Sequence, residues 1–451
     1  MNFSSFTARS LSLAAAFSTL LLSGPAWSAE SSGKVTTTTT TTKVQSTSKV
    51  QSTSKAPALF KIPTATVYKS PDRKVASMPM INVPYRSWLP KTDHPHVVLF
   101  CIHGLGLSSK SFSDFGRRMA GAGIPTYAMD VRGFGGWTKE PEKAHVDFDA
   151  CLLDVEQALK TLHQAYPGIP VFVVGESMGG AIAIQSAARY PDLVNGLISS
   201  VPSSTERASS FLKGGAIMVF ESAENPTGKS DISAVIVERS VSNPNKQKRI
   251  KNEPLNRSKL SKGELTQFQR FMAVTHDVAP NVERTPALVL VAYKDKLVSP
   301  YGSIDLLSEM TSPTKLLLMD GNSDHLMLEE DQLSPHVERL LKDFIHDQTR
   351  KVVLNQGSRA NVPSDKTWTT YERQVNLMKR INEAEKTQEL TAKEARHFRK
   401  ELGKIATEKQ KLRDENVGKP EDVDMSSIEA SLTKLSASID NHKQENIEES
   451  E

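Results

Sequence analysis

One serine in this chain has neighbours that favour nucleophilic chemistry. The stretch VVGESMGGA, residues 173–181, places Gly175 and Gly179 on either side of Ser177. An apolar run, PVFVV, precedes it, and small and apolar residues typical of a buried helix follow it. A strand that turns sharply into a helix, with glycines at the turn, holds a serine hydroxyl clear of the sheet as a nucleophile elbow. We therefore predict that Ser177 is a nucleophile, since an ordinary turn would not require both glycines.

A serine hydroxyl needs a base, and the base needs a group that orients it. His325 is the histidine after Ser177 that follows a predicted strand in a loop, within KLLLMDGNSDHLMLEE. Asp295 comes directly after the apolar run ALVLVAYK and so lies at the carboxyl end of a strand. Asp320 and Asp324 are the alternatives for the acid. The chain order serine, acid, histidine is the usual one for such an elbow, and it predicts catalytic roles for Ser177, Asp295 and His325.

Two backbone amides are predicted to stabilise the oxyanion of a tetrahedral intermediate. The Met178 N–H follows the nucleophile, and the Leu105 N–H lies in the loop HGLGLSS after a buried strand. Gly104 and Gly106 would let a substrate approach this backbone, and we predict both as substrate contacts. His103 is expected to brace the loop by hydrogen bonds, because it precedes the nucleophile in the chain.

The elements that must position these residues are strands alternating with helices. HVVLFCIHG, IPVFVVGE and TPALVLVAYKD are continuous apolar runs, as found in parallel strands buried on both faces. This alternation predicts an α/β fold with right-handed crossovers. Helical patterns lie between the runs, at residues 111–122, 147–165, 178–190 and 335–345.

Residues 204 to about 282 interrupt the alternation and hold no clear strand. Such an insert is expected to cover the carboxyl ends of the strands, where ligands bind in open α/β sheets. Its apolar stretch FLKGGAIMVF includes Met218 and Phe220, predicted here as substrate contacts, with burial against the core as the alternative. A basic cluster in the insert suits a lipid phosphate or an anionic lipid surface, or is simply solvated. The basic cluster consists of Lys246, Lys248, Arg249, Lys251, Arg257 and Lys259.

The first residues have the layout of an exported precursor. Arg9 precedes an apolar run at residues 11–22, and a small-residue site follows in GPAWS. Residues 1–29 are therefore predicted as a signal peptide, and the product as secreted, periplasmic or held at the cell surface. An apolar run of about twelve residues is too short to span a bilayer. The Thr- and Ser-rich residues 30–60 predict a disordered linker.

Composition limits the function classes further. A chain of 451 residues exceeds one ordinary core, and a net charge of +4 does not suggest a broad nucleic-acid surface. Cys101 and Cys151 are expected to be separate buried thiols, with a single bridge as the alternative. Two cysteines exclude a cysteine-based metal site, and no phosphate loop or ligand cluster appears. No metal or cofactor is therefore expected.

The end of the chain changes character again. After a predicted linker at residues 351–366, residues 367–445 are highly charged, with apolar side chains at helical spacing. Thr391 with Glu394, and Ser426 with Glu429, have the spacing of capping boxes. The pattern predicts two or three helices, either a small bundle or a coiled-coil hairpin. A solvated stalk and a module that binds a protein partner both fit it.

These motifs together resemble a known family. PGIPVFVVGESMGGAIAIQSAARYPDLVNGLISS, with CIHGLG, DVRGFGGW and NEPL, is similar to the monoacylglycerol lipase and lysophospholipase branch of the α/β hydrolases, of serine aminopeptidase S33 type. The similarity covers roughly residues 80–347, and Glu176 before the serine resembles plant-type members. It implies an α/β hydrolase fold at residues 61–350, with a mostly parallel sheet and a helical cap insertion.

The resemblance implies hydrolysis of a carboxylic ester that carries one acyl chain, a monoacylglycerol or a lysophospholipid, through an acyl-enzyme. Ser177 would be the nucleophile, His325 the general base and acid, and Asp295 the group that orients it. Members usually carry glycine shortly before the acid, whereas residues 292–294 here read AYK. The insert is the least similar part, so acyl length and headgroup do not transfer. Alternatives are a peptidase or amidase with the same residues, and a non-catalytic exported scaffold that binds partners through its helical tail.

Overall fold

The computed structural model describes most of the chain after residue 82. The described residues are 83–91, 94–203, 229–231, 233–359, 369–416 and 423–450. All of them lie in one compact unit, residues 59–451. The predicted signal peptide and linker, and the predicted contacts Met218 and Phe220, lie outside the described residues. Within the described part, none of the helices combines the length and the apolar character needed to cross a bilayer.

A seven-stranded sheet forms the centre of the described chain. The strands of the described residues, in chain order, are β1 (Tyr85–Trp88), β2 (Val98–Ile102), β3 (Thr126–Met129), β4 (Val171–Glu176), β5 (Gly196–Ser200), β6 (Lys229–Asp231), β7 (Lys259–Ser261), β8 (Ala287–Ala292) and β9 (Lys315–Asp320). β6 and β7 lie outside the seven-stranded sheet. The order across the sheet is β1-β3-β2-β4-β5-β8-β9, with β1 antiparallel to β3 and the other pairs parallel. β2, β4 and β8 are buried along their whole length, which explains their continuous apolar sequences. The predicted α/β fold is confirmed.

Helices cover both faces of this sheet. In chain order they are α1 (Ser113–Gly121), α2 (Phe148–Ala165), α3 (Met178–Arg189), α4 (Ser233–Ser240), α5 (Pro244–Asn252), α6 (Lys262–Val278), α7 (Pro300–Glu309), α8 (Pro335–Arg359), α9 (Thr370–Lys386), α10 (Ala392–Glu415) and α11 (Ser426–Ser450). One apolar cluster joins the sheet to α2, α3 and α6, and a second joins it to α1 and α8. The predicted start of a linker at residue 351 is wrong, because α8 continues to Arg359.

The insert between β5 and β8 contains β6, α4, α5, β7 and α6. β6 and β7 pair as a small antiparallel sheet, so the expectation of no strand in the insert is wrong. Each strand has three residues, KSD and KLS, which is too short for an alternating pattern to be visible in the sequence.

Helices α9, α10 and α11 form a three-helix unit with its own apolar core, which includes Ile381, Phe398 and Leu432. This confirms the predicted helical region. The capping box at Thr391 is present, and α9 has a further one at Thr369 that was not predicted. The third helix begins differently from the prediction: the Asp424 carboxylate accepts the Ser426 N–H, at 2.9 Å.

Polar side chains attach this three-helix unit to the rest of the molecule. The buried Lys409 ammonium lies 2.7 Å from the Glu283 carboxylate, just before β8. The Asn281 side chain donates to the Arg399 backbone oxygen, at 3.0 Å, and the Asn382 side chain donates to the Arg189 backbone oxygen, at 2.9 Å. The helices are therefore docked against the α/β core, and the expectation of a solvated stalk is wrong. A protein partner for this unit stays a prediction.

Candidate active site

Ser177 lies at the turn between β4 and α3, with a φ of 57° and a ψ of −115°. A side chain at Gly175 would bring its Cβ to 2.0 Å from the Gly179 backbone oxygen. A side chain at Gly179 would bring its Cβ to 1.9 Å from the Ile102 backbone oxygen on β2. Both glycines are therefore needed for the backbone to make this turn, and the strained serine is held over the start of α3.

The Ser177 hydroxyl lies 3.2 Å from the hydroxyl of Ser203, which follows β5. Among the contacts of the described residues, no hydrogen bond joins Ser177 directly to His325. Ser203 also donates its N–H to the Ser177 backbone oxygen, at 3.1 Å. The structure thus pairs the predicted nucleophile with a second hydroxyl that sequence reasoning did not single out.

Asp295 and His325 are brought together by the loops after β8 and β9. The His325 Nδ1 lies 2.7 Å from the Asp295 Oδ2, and both side chains are almost fully buried. The other carboxylate oxygen of Asp295 accepts the N–H groups of Leu297 and Val298, at 2.7 and 2.9 Å. These amides fix the carboxylate, so that its free oxygen faces the imidazole.

The pKa of His325 reflects opposing effects. Burial lowers it, but the charge and hydrogen bond of Asp295, together with the charge of Glu176, leave the pKa above the ordinary histidine value. An imidazole in this position readily takes up a proton and returns it, as a general base must.

The two alternative acids are engaged elsewhere. The Asp320 carboxylate accepts the Asn322 N–H and the Ser323 hydroxyl within its own loop. The Asp324 carboxylate accepts the N–H and hydroxyl of Ser242 in the insert, both at 2.7 Å. The geometry therefore favours Asp295 as the partner of His325.

The predicted oxyanion loop follows β2 and is anchored at several points. The His103 Nδ1 donates to the Gly104 backbone oxygen at 2.8 Å, and its Nε2 accepts the Val131 N–H at 2.9 Å, so the ring braces the loop as expected. The Gly106 backbone oxygen accepts the Arg257 N–H, at 2.8 Å. The Leu105 N–H has no hydrogen-bond partner among the described residues, which leaves it available to a ligand.

The Met178 amide lies at the first position of α3, where no partner within the helix exists. A helix N-terminus also favours negative charge. The N–H groups of Met178 and Leu105 are thus both without a partner among the described contacts, and their role as oxyanion donors stays a prediction.

Two buried glutamates near Ser177 were not predicted as functional. Glu176 precedes the serine, and its carboxylate accepts the N–H groups of the segment after His325. Glu329 accepts the Gly104 N–H at 3.0 Å. A carboxylate at the end of the buried run VFVVGE is a signal that could have identified Glu176, whereas nothing in the local sequence marks Glu329.

Most of the basic cluster in the insert is paired. Arg249 contacts Glu330 and Asp331, Lys251 contacts Glu238, and Arg257 contacts Glu264. The Lys246 ammonium donates to the Asp331 backbone oxygen, at 2.8 Å. The contacts of Arg249 and Lys246 join the insert to the chain just after His325, whereas those of Lys251 and Arg257 lie within the insert. All of these contacts engage basic side chains that the sequence analysis considered for binding a lipid phosphate.

Cys101 and Cys151 are both buried and free, so the expectation of two separate thiols is confirmed. Across the described ranges, no group of three or more metal-ligating side chains is positioned to hold an ion.

Comparison with known proteins identifies the family. Residues 93–332, just over half of the chain, match the family described as serine aminopeptidase, S33. A monoglyceride lipase homolog of Monkeypox virus is 23% identical over 265 residues, which cover 58% of this chain and 94% of that protein. Human monoglyceride lipase is 35% identical over 141 residues, which cover 29% of this chain and less than half, 46%, of that protein.

A solved structure shows the same fold. The crystal structure of a soluble variant of monoglyceride lipase from Saccharomyces cerevisiae, in complex with a substrate analog, superposes with a TM-score of 0.51 at 18% identity. The match covers 63% of this chain and 99% of that one. With the matched region, the elbow and the fold in agreement, the chain belongs to the serine aminopeptidase, S33, family of α/β hydrolases.

Proposed function

We propose that this protein is a carboxylic ester hydrolase that cleaves single-acyl lipids with Ser177 as nucleophile, His325 as general base and Asp295 as the residue that orients it. The observation that carries the proposal is the buried 2.7 Å hydrogen bond between His325 and Asp295, at the same edge of the sheet as the strained Ser177 elbow. The relatives named monoglyceride lipases support the substrate class.

The reaction follows from the groups in place. Asp295 holds the Nδ1 side of His325, so Nε2 is the nitrogen that takes the Ser177 proton as the hydroxyl attacks the ester carbon. For this step the hydroxyl turns away from Ser203 and toward the imidazole. The amides of Leu105 and Met178 receive the oxyanion. His325 then gives its proton to the leaving alcohol, and a water molecule releases the acyl group by the same steps in reverse.

The state of the basic cluster favours a neutral headgroup over a phosphate. Arg249, Lys251 and Arg257 are each paired with a carboxylate, and a substrate phosphate would have to compete with these partners. A monoacylglycerol carries no phosphate and does not compete with the carboxylates for these cations. Between the two substrates that the sequence suggested, we propose monoacylglycerol as the better one. The same pairing withdraws support from an anionic lipid surface at these residues.

Turnover of a substrate panel tests the proposal. Wild type and Ser177→Ala are compared on a monoacylglycerol, a lysophospholipid with the same acyl chain, and an aminoacyl arylamide. We expect wild type to hydrolyse the monoacylglycerol fastest and the variant to hydrolyse none of the three. Faster cleavage of the arylamide would favour the peptidase alternative. Absence of all three activities in folded wild type would contradict the proposal.

A further inference from the structure

Two fully buried glutamates lie close to the elbow but are not among the three proposed catalytic residues. Glu176 is the last residue of β4, and Glu329 follows His325 in the loop after β9. Carboxyl groups this deeply buried are costly unless hydrogen bonds satisfy them. Their contacts with backbone N–H groups lead to segments that carry groups of the proposed site.

Glu176 holds the chain that follows His325. Its Oε1 accepts the Met327 N–H at 2.8 Å and the Leu328 N–H at 3.0 Å. Its Oε2 accepts the Glu329 N–H at 2.9 Å. The Ser200 hydroxyl at the end of β5 donates to Oε1 as well, at 2.7 Å. A backbone N–H can only donate, and four donors converge on these two oxygens, so the contacts favour an ionised Glu176.

Glu329 holds the loop that carries the Leu105 N–H. Its Oε2 accepts the N–H of Gly104 at 3.0 Å, one residue before Leu105. A Cβ on Gly104 would lie 3.1 Å from this oxygen and 3.6 Å from the Ser177 Cβ. The carboxyl group is therefore in close contact with the backbone between the elbow and the predicted oxyanion donor.

The Ser111 hydroxyl is placed so that it can accept a proton from Glu329. It lies 2.7 Å from the Ser108 backbone oxygen and 2.6 Å from the Glu329 Oε1. The hydroxyl has one hydrogen, and a carbonyl oxygen can only accept. If Ser111 donates to Ser108, the second contact is a hydrogen bond only when Glu329 supplies the proton. A neutral Glu329 can therefore donate from Oε1 to Ser111 while Oε2 accepts the Gly104 N–H, and the longer contact of that N–H with Oε1, at 3.2 Å, meets the remaining lone pair.

We propose that Glu176 and Glu329 are positioning residues of opposite protonation state: ionised Glu176 holds the segment that carries His325, and neutral Glu329 holds the loop that carries the Leu105 N–H. This proposal rests on the proposed function, since it assigns these residues to the same reaction. A negative charge on Glu329 would lie beside the forming oxyanion and oppose it. The charge on Glu176 instead stabilises the imidazolium that forms on His325.

The electrostatics agree with this assignment. Burial, and then the charge of Glu176, raise the pKa of Glu329 well above its usual value. Burial also raises the pKa of Glu176, which stays above its usual value although the donors from Ser200, Met327 and Glu329 lower it, whereas the pKa of Glu329 is raised further. The titratable groups that face the pair are His325, Glu330 and the Cys101 thiol.

Paired substitutions separate the two roles. In Glu329→Gln the amide is neutral, can donate to Ser111 and can accept from Gly104, so we expect kcat within about threefold of wild type. Glu329→Ala leaves the Gly104 N–H unpartnered, and we expect kcat to fall about 100-fold with little change in KM. Glu176→Gln puts an N–H donor against backbone donors, and we expect a loss similar to that of Glu329→Ala.

A pH profile and an infrared spectrum add readouts that a structural defect alone would not change. Without the charge of Glu176 the pKa of His325 falls, so the acidic limb of kcat/KM in Glu176→Gln moves to lower pH. Burial raises the pKa of Glu330 to about 7, so the spectrum is recorded at a pH well above that value. There the carbonyl band of a protonated carboxyl group should be present in wild type and in Glu176→Gln, and absent in Glu329→Gln. Glu385→Gln, a half-buried and paired carboxyl at the interface with the helical unit, is the control, with lower stability but an unchanged profile.

Any of three results overturns the proposal. The first is a loss in Glu329→Gln as large as in Glu329→Ala, and the second is an infrared band that survives the Glu329→Gln substitution. The third is a Glu176→Gln enzyme with wild-type kcat and pH profile. Wild type that hydrolyses no ester would instead remove the proposed function and with it the role in the reaction, while the infrared spectrum would still decide the two protonation states.

Discussion

The elbow region and the interface of the helical unit both bury charged side chains, but these side chains contact different kinds of groups. Around Ser177, the carboxyl groups of Asp295, Glu176 and Glu329 accept mainly backbone N–H groups, at 2.7 to 3.2 Å. At the interface, the cations of Lys409 and Arg399 contact carboxylates on other elements.

This difference separates positioning from attachment. A carboxylate bound by successive amides fixes the path of one loop, which is what a reacting side chain requires. An ion pair between two elements decides how they dock, and desolvation offsets much of its attraction. We therefore expect variants near Ser177 to change turnover, and variants at the helical interface to change stability alone.

The largest expected effect comes from His325. In His325→Ala the proton of Ser177 has no acceptor, and we expect kcat to fall about 10⁵-fold. His336→Ala is the matched control, because His336 is an exposed histidine at the start of α8, the helix that follows the loop of His325. We expect this substitution to leave kcat unchanged. Steady-state hydrolysis of a monoacylglycerol measures both. Comparable losses in the two variants would contradict the assignment.

Asp295→Asn should have the next largest effect, about 10⁴-fold in kcat, because an amide no longer favours the tautomer and the charge that His325 needs. Asp320→Asn is its control, at the end of the neighbouring strand β9. Its contacts stay within its own loop, and we expect a change of about threefold or less. If Asp320→Asn proves the more damaging, the acid has been misassigned.

The pH dependence sharpens the same comparison. His325 acts while neutral, so kcat/KM rises as pH passes upward through its pKa, which lies above the ordinary value of 6.5. Without the Asp295 charge, burial dominates and lowers that pKa. The acidic limb of Asp295→Asn should therefore move to lower pH, and a limb that stays in place would count against the pairing.

Lys409→Ala tests the other region. It removes the main partner of the buried Glu283, and we expect a loss of about 3 kcal/mol in the free energy of unfolding, with turnover of the folded protein unchanged. Lys404→Ala, from an exposed pair on the same helix, should change stability by about 0.5 kcal/mol or less. Urea unfolding and an ester assay give both quantities. A fall in kcat for folded Lys409→Ala would erase the distinction between the two regions.

The smallest expected effect is at the start of α10. Thr391→Ala removes the side chain that accepts the Glu394 N–H and should lower the free energy of unfolding by about 1 kcal/mol. Thr407→Ala, inside the same helix, is the comparison, since its hydroxyl caps nothing. Equal losses in urea unfolding would show that the box contributes no more than an ordinary helical threonine.

The features that could be predicted from the sequence were those that depend on a short, continuous stretch of residues. The glycines around Ser177, and the strand ends that carry Asp295 and His325, appear as local patterns, because buried strands are continuous apolar runs. The capping box at Thr391 is equally local. Strands β6 and β7 were missed because three residues are too few to show a period.

The features that the sequence did not reveal depend on contacts between distant residues. Glu329 lies 225 positions from Gly104, and Glu176 lies 151 positions from Met327. The pairing of Lys409 with Glu283 spans 126 positions. Nothing near either partner marks such a contact, so the positioning carboxylates and the docking of the helical unit became visible only in the folded chain.

The most direct test of the central claim, that Ser177 is an activated nucleophile, is intact-mass measurement after treatment with a fluorophosphonate probe. Wild type, Ser177→Ala and Ser203→Ala are compared, because Ser203 is the hydroxyl next to the nucleophile. We predict one adduct on wild type and on Ser203→Ala, and none on Ser177→Ala. An adduct that persists in Ser177→Ala, or its absence from folded wild type, would contradict the account.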